Sequence, residues 1–261
     1  MGERPRHEPP APAYRGCRRD GVFQAARPGT EWLSTGWNGG RLTADAAYNI
    51  SVPDGWNRSD LEPYVLERLE RARFRDETDD ASLPPVLLTG VDLEHLRGAR
   101  CGSVTAYATA GVSNPAALPP IPPGGAVSSQ PPGATSEAVT DPDSPGTVNL
   151  VVGTTCALAD GALENLIAVV AEAKASTLLA RTGFPGTTTD AIVVGHDPTG
   201  PTRQFSGSGT DVGAAARAST REAVTAALES RYVTTDAAVP ESAETASHGV
   251  STDVRATVFR P

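Results

Sequence analysis

Apolar positions along the chain follow two different periods. Alternation or short apolar runs, the mark of strands, fall at Trp32-Leu33-Ser34, at Tyr48-Asn49-Ile50-Ser51-Val52, at Val86-Leu87-Leu88-Thr89 and over residues 103–108. Two further runs, residues 147–152 and 190–195, are almost continuously apolar and predict central strands covered on both faces. Elsewhere the period is helical. Leu61, Val65, Leu69 and Ala72 recur behind Ser59-Asp60-Leu61-Glu62, which predicts a capping box and a helix to about Arg73. Asp92 predicts one or two helical turns. Asp160 predicts the cap of a long helix whose apolar stripe is Leu163, Ile167, Val170 and Leu178, with Arg181 and Gly183 as its cationic last turn and stop. A last helix is expected behind Asp211, with Val224 and Leu228 one turn apart.

Strand and helix signals interleave, so the predicted fold class is α+β. It is a single domain in which a mixed β-sheet is packed with helices. Residues 1–25 are polar, Pro/Arg-rich and aperiodic, and predict a disordered tail. The domain then spans residues 26–235. Within it, residues 119–145 are proline-rich and aperiodic. They predict an inserted loop and not a domain boundary, because the strand-like segments on either side need each other for burial. Residues 236–261 read as a polar, extended C-terminal segment.

Composition narrows the function classes. Aromatic content is only 5%, so the core must be built from Val, Leu, Ala and Ile. A net charge of −9 without a basic run argues against nucleic acid and for a neutral or cationic small molecule. Acidic surface, arginine in place of lysine and abundant alanine together suggest a halophilic composition. Cys17, Cys101 and Cys156 show no CxxC spacing, and His7, His95, His196 and His248 show no ligand spacing. Neither a disulfide scaffold nor a metal site is expected. No cofactor motif is present, no apolar run reaches membrane-spanning length, and the chain reads as cytoplasmic.

Candidate chemistry concentrates in a few places. Lys174 is the one lysine among 22 basic residues. A compact ammonium on a flexible stem does what a guanidinium cannot, so its retention points to a site. Glu172 lies about 200° round the helix from Lys174, so only one of the two should face a common pocket. Asp190, after Thr187-Thr188-Thr189, could accept a proton or orient a water. Ser113, in Gly111-Val112-Ser113-Asn114-Pro115, ends a predicted strand and suits substrate positioning better than nucleophilic attack, since no histidine is placed to activate it. His196-Asp197 is a weaker acid–base candidate. Gly207-Ser208-Gly209-Thr210-Asp211-Val212-Gly213 departs from the dinucleotide fingerprint and reads as a helix-capping loop.

Several blocks taken in order resemble the adenosylcobinamide amidohydrolase family of corrinoid salvage. They are Leu33-Ser34-Thr35-Gly36-Trp37-Asn38-Gly39-Gly40, Asn49-Ile50-Ser51-Val52, Leu88-Thr89-Gly90, Thr109-Ala110-Gly111-Val112-Ser113-Asn114, Gly146-Thr147-Val148-Asn149, Glu172-Ala173-Lys174-Ala175 and Thr188-Thr189-Asp190-Ala191. The chain departs from the family pattern in its proline-rich insertion and in the Phe184-Pro185 pair. The resemblance implies hydrolysis of the amide that joins the aminopropanol arm to the corrin ring, giving adenosylcobyric acid and 1-aminopropan-2-ol. Residue type and motif position then suggest Glu172 or Asp190 as base. Lys174 or an asparagine would serve as oxyanion donor or acid. Ser34, Asn38, Asn49, Thr109, Ser113, Asn114 and Asn149 are the substrate-binding candidates. The same pocket without an activated carboxylate would make a non-catalytic corrinoid-binding protein.

Overall fold

The structure, a computed structural model, describes residues 13–53, 56, 58–76, 82–121, 146–235 and 237–261. It opens with a hairpin of β1 (Arg15–Arg19) and β2 (Val22–Ser34), reversing through Asp20 and Gly21, both at positive φ. These strands replace much of the expected tail. The segment is polar in sequence because β1 lies on the sheet's exposed margin, while Phe23 and Ala25 point inward. β2 continues past a bulge between Ala26 and Thr30 and returns as β3 (Gly40–Ser51). The two short strand signals at residues 32–34 and 48–52 are thus the ends of one long ribbon. Its middle is polar and gave no alternation strong enough to read.

Helix α1 (Leu61–Arg71) follows, capped at Asp60 and without the side-chain bond that a Ser59 capping box would supply. Next come β4 (Val86–Thr89), a 3₁₀ turn at Leu93–His95, β5 (Arg97–Cys101), β6 (Val104–Ala110) and the two-residue β7 (Ala116–Ala117). The expected inserted loop lies outside the described residues from 122 to 145. Beyond it run β8 (Val148–Thr154), β9 (Ala157–Leu158), α2 (Asp160–Thr182), β10 (Ala191–His196) and β11 (Thr202–Arg203). The chain finishes with α3 (Asp211–Thr234) and β12 (Val250–Ser251). Gly183 ends α2 in the left-handed region (φ 80°), as its position in the pattern predicts. The residue before α2 is Ala159, so Asp160 is its first helical residue. α3 is capped one residue earlier than expected, by the Thr210 hydroxyl on Gly213 N–H at 3.0 Å.

The principal sheet has eight strands, in the order β4-β3-β2-β10-β8-β6-β5 with β1 beside β2, and it is mixed. β10 is parallel to β8 and β4 is parallel to β3, while the other pairs are antiparallel. The sheet curls. Asn149 on β8 reaches Asn49 on β3 and the Leu88 carbonyl on β4, although β2 and β10 lie between β3 and β8 in the ladder. Strand alternation then builds three apolar layers. Val148, Leu150 and Val152 face α2 and α3, together with Ala106, Ala108, Ile192 and Val194. Val151, Val193, Trp32, Phe23, Leu87 and Tyr14 fill the inside of the curl. Ile50, Val86 and Tyr48 pack under α1 against Val65 and Leu69. Each such fully buried side chain contributes about 1.5–3 kcal/mol. The small residues Ala106, Ala108 and Ala110 let α3 lie close on β6.

Candidate active site

The C-terminal end of β6 and the N-terminal ends of β8 and β10 meet along one edge of the sheet, and two polar clusters form there. The first sits on the helix side. Asp190, just before β10, accepts four hydrogen bonds: from Val148 N–H (2.9 Å), Thr187 N–H (3.1 Å), the Thr187 hydroxyl (2.5 Å) and the Lys174 ammonium. The Thr187–Asp190 spacing is a tight turn closed by the acid's own side chain. Lys174 projects from the middle of α2, and its side chain and that of Asp190 are 12% and 8% exposed. Asp190 Oδ2 is its acceptor among the described residues, so the ammonium keeps further N–H donors. Gly186 lies directly over the pair. A methyl carbon there would come within 2.7 Å of Asp190 Oδ2 and 3.4 Å of Lys174 Nζ.

Threonines and loop residues complete this cluster. Thr147 and Thr189 hydroxyls bond each other at 2.9 Å. Asn114 donates to Thr188 Oγ1 at 2.6 Å, while its own Oδ1 is buried without a partner. Ser113 Oγ accepts from Gly146 N–H at 2.6 Å, tying the end of β6 to the entry of β8. Glycine is needed at 146 because a side chain would strike Ser113.

The second cluster lies inside the curl. Asn49 donates to Thr109 Oγ1 (3.1 Å), and Asn149 donates to Asn49 Oδ1 (3.0 Å) and to the Leu88 carbonyl (2.8 Å). Asn149 Oδ1 is buried with no partner. All three residues are almost fully buried, so four of the family-like blocks converge here through side chains that sequence separates by up to 100 positions.

The other candidates take different places. Glu172 faces away from this edge, 56% exposed and paired with Arg217 of α3, as the helical spacing requires once Lys174 faces Asp190. Ser34 Oγ accepts from Gly36 N–H at 3.0 Å within the β2–β3 turn. Asn38 donates to the Pro84 carbonyl and accepts from Val86 N–H, pinning that turn to the start of β4. His196 and Asp197 sit at the opposite end of β10 and form no dyad. His196 Nδ1 accepts from Leu158 N–H, whereas Asp197 pairs with Arg27, which holds its carboxyl down at about 2. Sequence reasoning missed Thr147, the Thr187 hydroxyl and Gly186 as parts of the Asp190 cluster. A turn of Thr-x-x-Asp before an apolar strand was the available signal.

Beyond Gly186, residues Gly183, Phe184 and Pro185 border a cleft of about 510 Å³. Leu118 and Leu179 line it, with Glu241, Glu244 and Asp253 from the C-terminal segment. Among the described residues no group of three or more His, Cys, Asp or Glu is placed to hold a metal ion, and no helix is long and apolar enough to cross a membrane.

Residues 8–236 match the family model described as adenosylcobinamide amidohydrolase. A curated adenosylcobinamide amidohydrolase of Halobacterium salinarum is 58% identical over 242 residues, covering 93% of this chain and 97% of its own. One from Methanosarcina mazei is 30% identical over 211 residues, covering 77% and 91%. Among solved structures, the PH0078 protein from Pyrococcus horikoshii OT3 aligns with a TM-score of 0.41 at 13% identity, over 83% of this chain and 79% of that one.

Proposed function

The chain belongs to the adenosylcobinamide amidohydrolase family, and from that premise we propose how its strand-end cluster hydrolyses an amide. The enzyme is a hydrolase of a carbon–nitrogen amide bond in cobinamide salvage. The bond cut joins the aminopropanol arm to the corrin ring, giving adenosylcobyric acid and 1-aminopropan-2-ol. The observation that carries the assignment is the Asp190 hub, where a buried carboxylate and the chain's one lysine meet among threonines at a glycine-lined edge.

Amide hydrolysis needs a base for water, a stabiliser for the oxyanion and an acid for the departing amine. Of the two carboxylates that residue type offers, Asp190 fits the base better than Glu172, because Glu172 is exposed and engaged by Arg217. Water adds to the amide carbon as its proton passes to Asp190, whose Oδ1 gives up the Thr187 hydroxyl to accept it. The N–H donors of Lys174 not taken by Asp190 hold the oxyanion. The C–N bond then breaks as the proton returns to the amine nitrogen, and the new carboxylic acid on the corrin gives its own proton to the freed amine, leaving a carboxylate and an ammonium. Ser113 borders the same edge and suits a contact to the arm, while Asn114, fully buried behind it, positions Thr188. Asn49, Thr109 and Asn149 support it from inside the curl, and Ser34 and Asn38 hold the neighbouring turn. The cleft beside Phe184 seats part of the corrin, its carboxylate-bearing wall suiting a cationic cobalt centre. The partner is a small-molecule corrinoid and not nucleic acid, and three free cysteines suit a reducing cytoplasm.

Asp190→Asn should lower kcat at least about 100-fold, the lower bound for losing a positioned base. Lys174→Arg keeps the charge but moves the donors, and should cost about 10²-fold, as for one oxyanion donor. Circular dichroism would show each variant folded. Turnover is read by incubation with adenosylcobinamide and mass spectrometry of adenosylcobyric acid. Near-normal rates in both variants would remove the cluster from the mechanism. Tight corrinoid binding without product in the wild type would favour the non-catalytic binder.

A further inference from the structure

Arg231, in the last turn of α3, carries a charge that the mechanism above leaves unused. Its guanidinium lies across the end of β6. A Cβ at Gly111 would be 3.1 Å from Arg231 Cζ and 3.3 Å from Nε, and 2.8 Å from Val91 Cγ2. The cation therefore sits between two turns, the one after β4 and the one after β6, both within the family-like blocks. The neighbouring Tyr232 hydroxyl accepts from Val112 N–H at 2.8 Å and fixes the second turn. Nε is buried and has no acceptor, and among the described residues no carboxylate pairs with the guanidinium. A cation at a helix C-terminus is favourable in itself. That accounts for the charge but not for a buried donor left unpaired, which is destabilising.

The position is on the site's edge. Gly111 N–H bonds the Thr147 carbonyl at 3.2 Å, and the next residue, Val148, bonds Asp190. The turn at Gly111 that Arg231 covers is thus two strands from Asp190, roughly 10 Å at the usual strand spacing. A planar fork of donors suits an oxyanion with two oxygens, a carboxylate or a phosphate, far better than a neutral amide.

Building on the amidohydrolase reading, we propose that Arg231 forms an anion subsite that takes a carboxylate or phosphate oxygen on the corrinoid's side arm. Two sources share that chemistry: the carboxylate created by hydrolysis, and a phosphate esterified to the aminopropanol oxygen. The residue then decides how tightly the enzyme holds a corrinoid with an anionic arm relative to cobinamide, whose arm is uncharged.

Equilibrium binding to the full chain tests this, with three probes: cobinamide, cobinamide phosphate and cobyric acid. Arg231→Gln should weaken at least one anionic probe by about tenfold or more, the size of one charge-assisted hydrogen bond, and change cobinamide less than about threefold. The anionic probe affected identifies the source. Gly111→Ala should reproduce the pattern, because its methyl displaces the guanidinium, and Arg231→Lys should recover part of the loss. An equal loss for all three probes, or none for either anion, overturns the subsite while leaving the amidohydrolase reading intact. Failure of every corrinoid to bind the wild-type chain overturns both. Asp190→Asn, which should stop turnover, is expected to keep the anionic preference.

Discussion

At the scale of single residues, the candidate site depends on what is missing as much as on what is present. Gly186 has no side chain, and that absence lets backbone lie on the Lys174–Asp190 pair. Gly186→Ala should therefore push the carboxylate and ammonium apart. We expect kcat to fall by about tenfold or more, since small displacements in a preorganised site are costly, with a loss of about 1–3 kcal/mol from overpacking. Steady-state kinetics and urea denaturation of the variant read both, and an alanine enzyme with wild-type kcat would show that this contact does not matter. Lys174 and Asp190 were legible in sequence for different reasons, one as a compositional anomaly, the other as an acid before a covered strand. Their pairing was not, because nothing in local sequence brings the middle of a 23-residue helix to the start of the following strand. Helical spacing did show that Glu172 and Lys174 must diverge. Tyr14 shows the same limit: its phenol, pushed up by burial, donates to the Thr154 carbonyl 140 residues away.

At the scale of elements, long-range ties decide what the periodicity could not. The bulge in β2 places Arg27 against Asp197 at the far end of β10. Arg27 first, then the Thr199 hydroxyl, depress the Asp197 carboxyl from 3.8 to about 2. A depressed acid contributes stability above its unfolded pKa and loses it as pH falls through the folded one. The Arg27–Asp197 contribution should thus be complete above about pH 4 and vanish towards pH 2. Asp197→Asn should unfold at lower urea than the wild type at pH 7, and the gap should narrow steadily below pH 4. A gap independent of pH would separate the pair from stability. The helices and the two central strands were readable because their apolar faces are continuous and their stops are marked by Gly183 and a polar loop. The β1–β2–β3 ribbon was not, since its edge strand is polar and its register depends on partners far along the chain.

At the scale of the whole molecule, a charge of −9 is spread over a core made mostly of small aliphatic residues. Self-repulsion destabilises such a compact state, and salt screens it, the Debye length falling to about 3 Å at 1 M. The melting temperature should rise between 0.1 M and 1 M KCl, read by differential scanning fluorimetry. A flat response would mean that the acidic surface is already neutralised by its own arginines, as around Arg41 with Glu31 and Glu164.

β10 joins the two halves of the sheet, and Thr35 and Ile192 seal that junction with reciprocal hydrogen bonds of 2.9 Å across 157 residues. The order of events at the ribosome follows from it. The β2–β3 ribbon emerges early, with the edge of β2 that β10 will cover still bare. At about 5–20 residues per second, that edge waits on the order of ten seconds for its partner. During that interval an unpaired strand carrying Trp32 and Leu33 is a template for other chains. The β2–β10 junction is therefore the last seam of the principal sheet to close, and newborn protein is at its most aggregation-prone just before it becomes an enzyme.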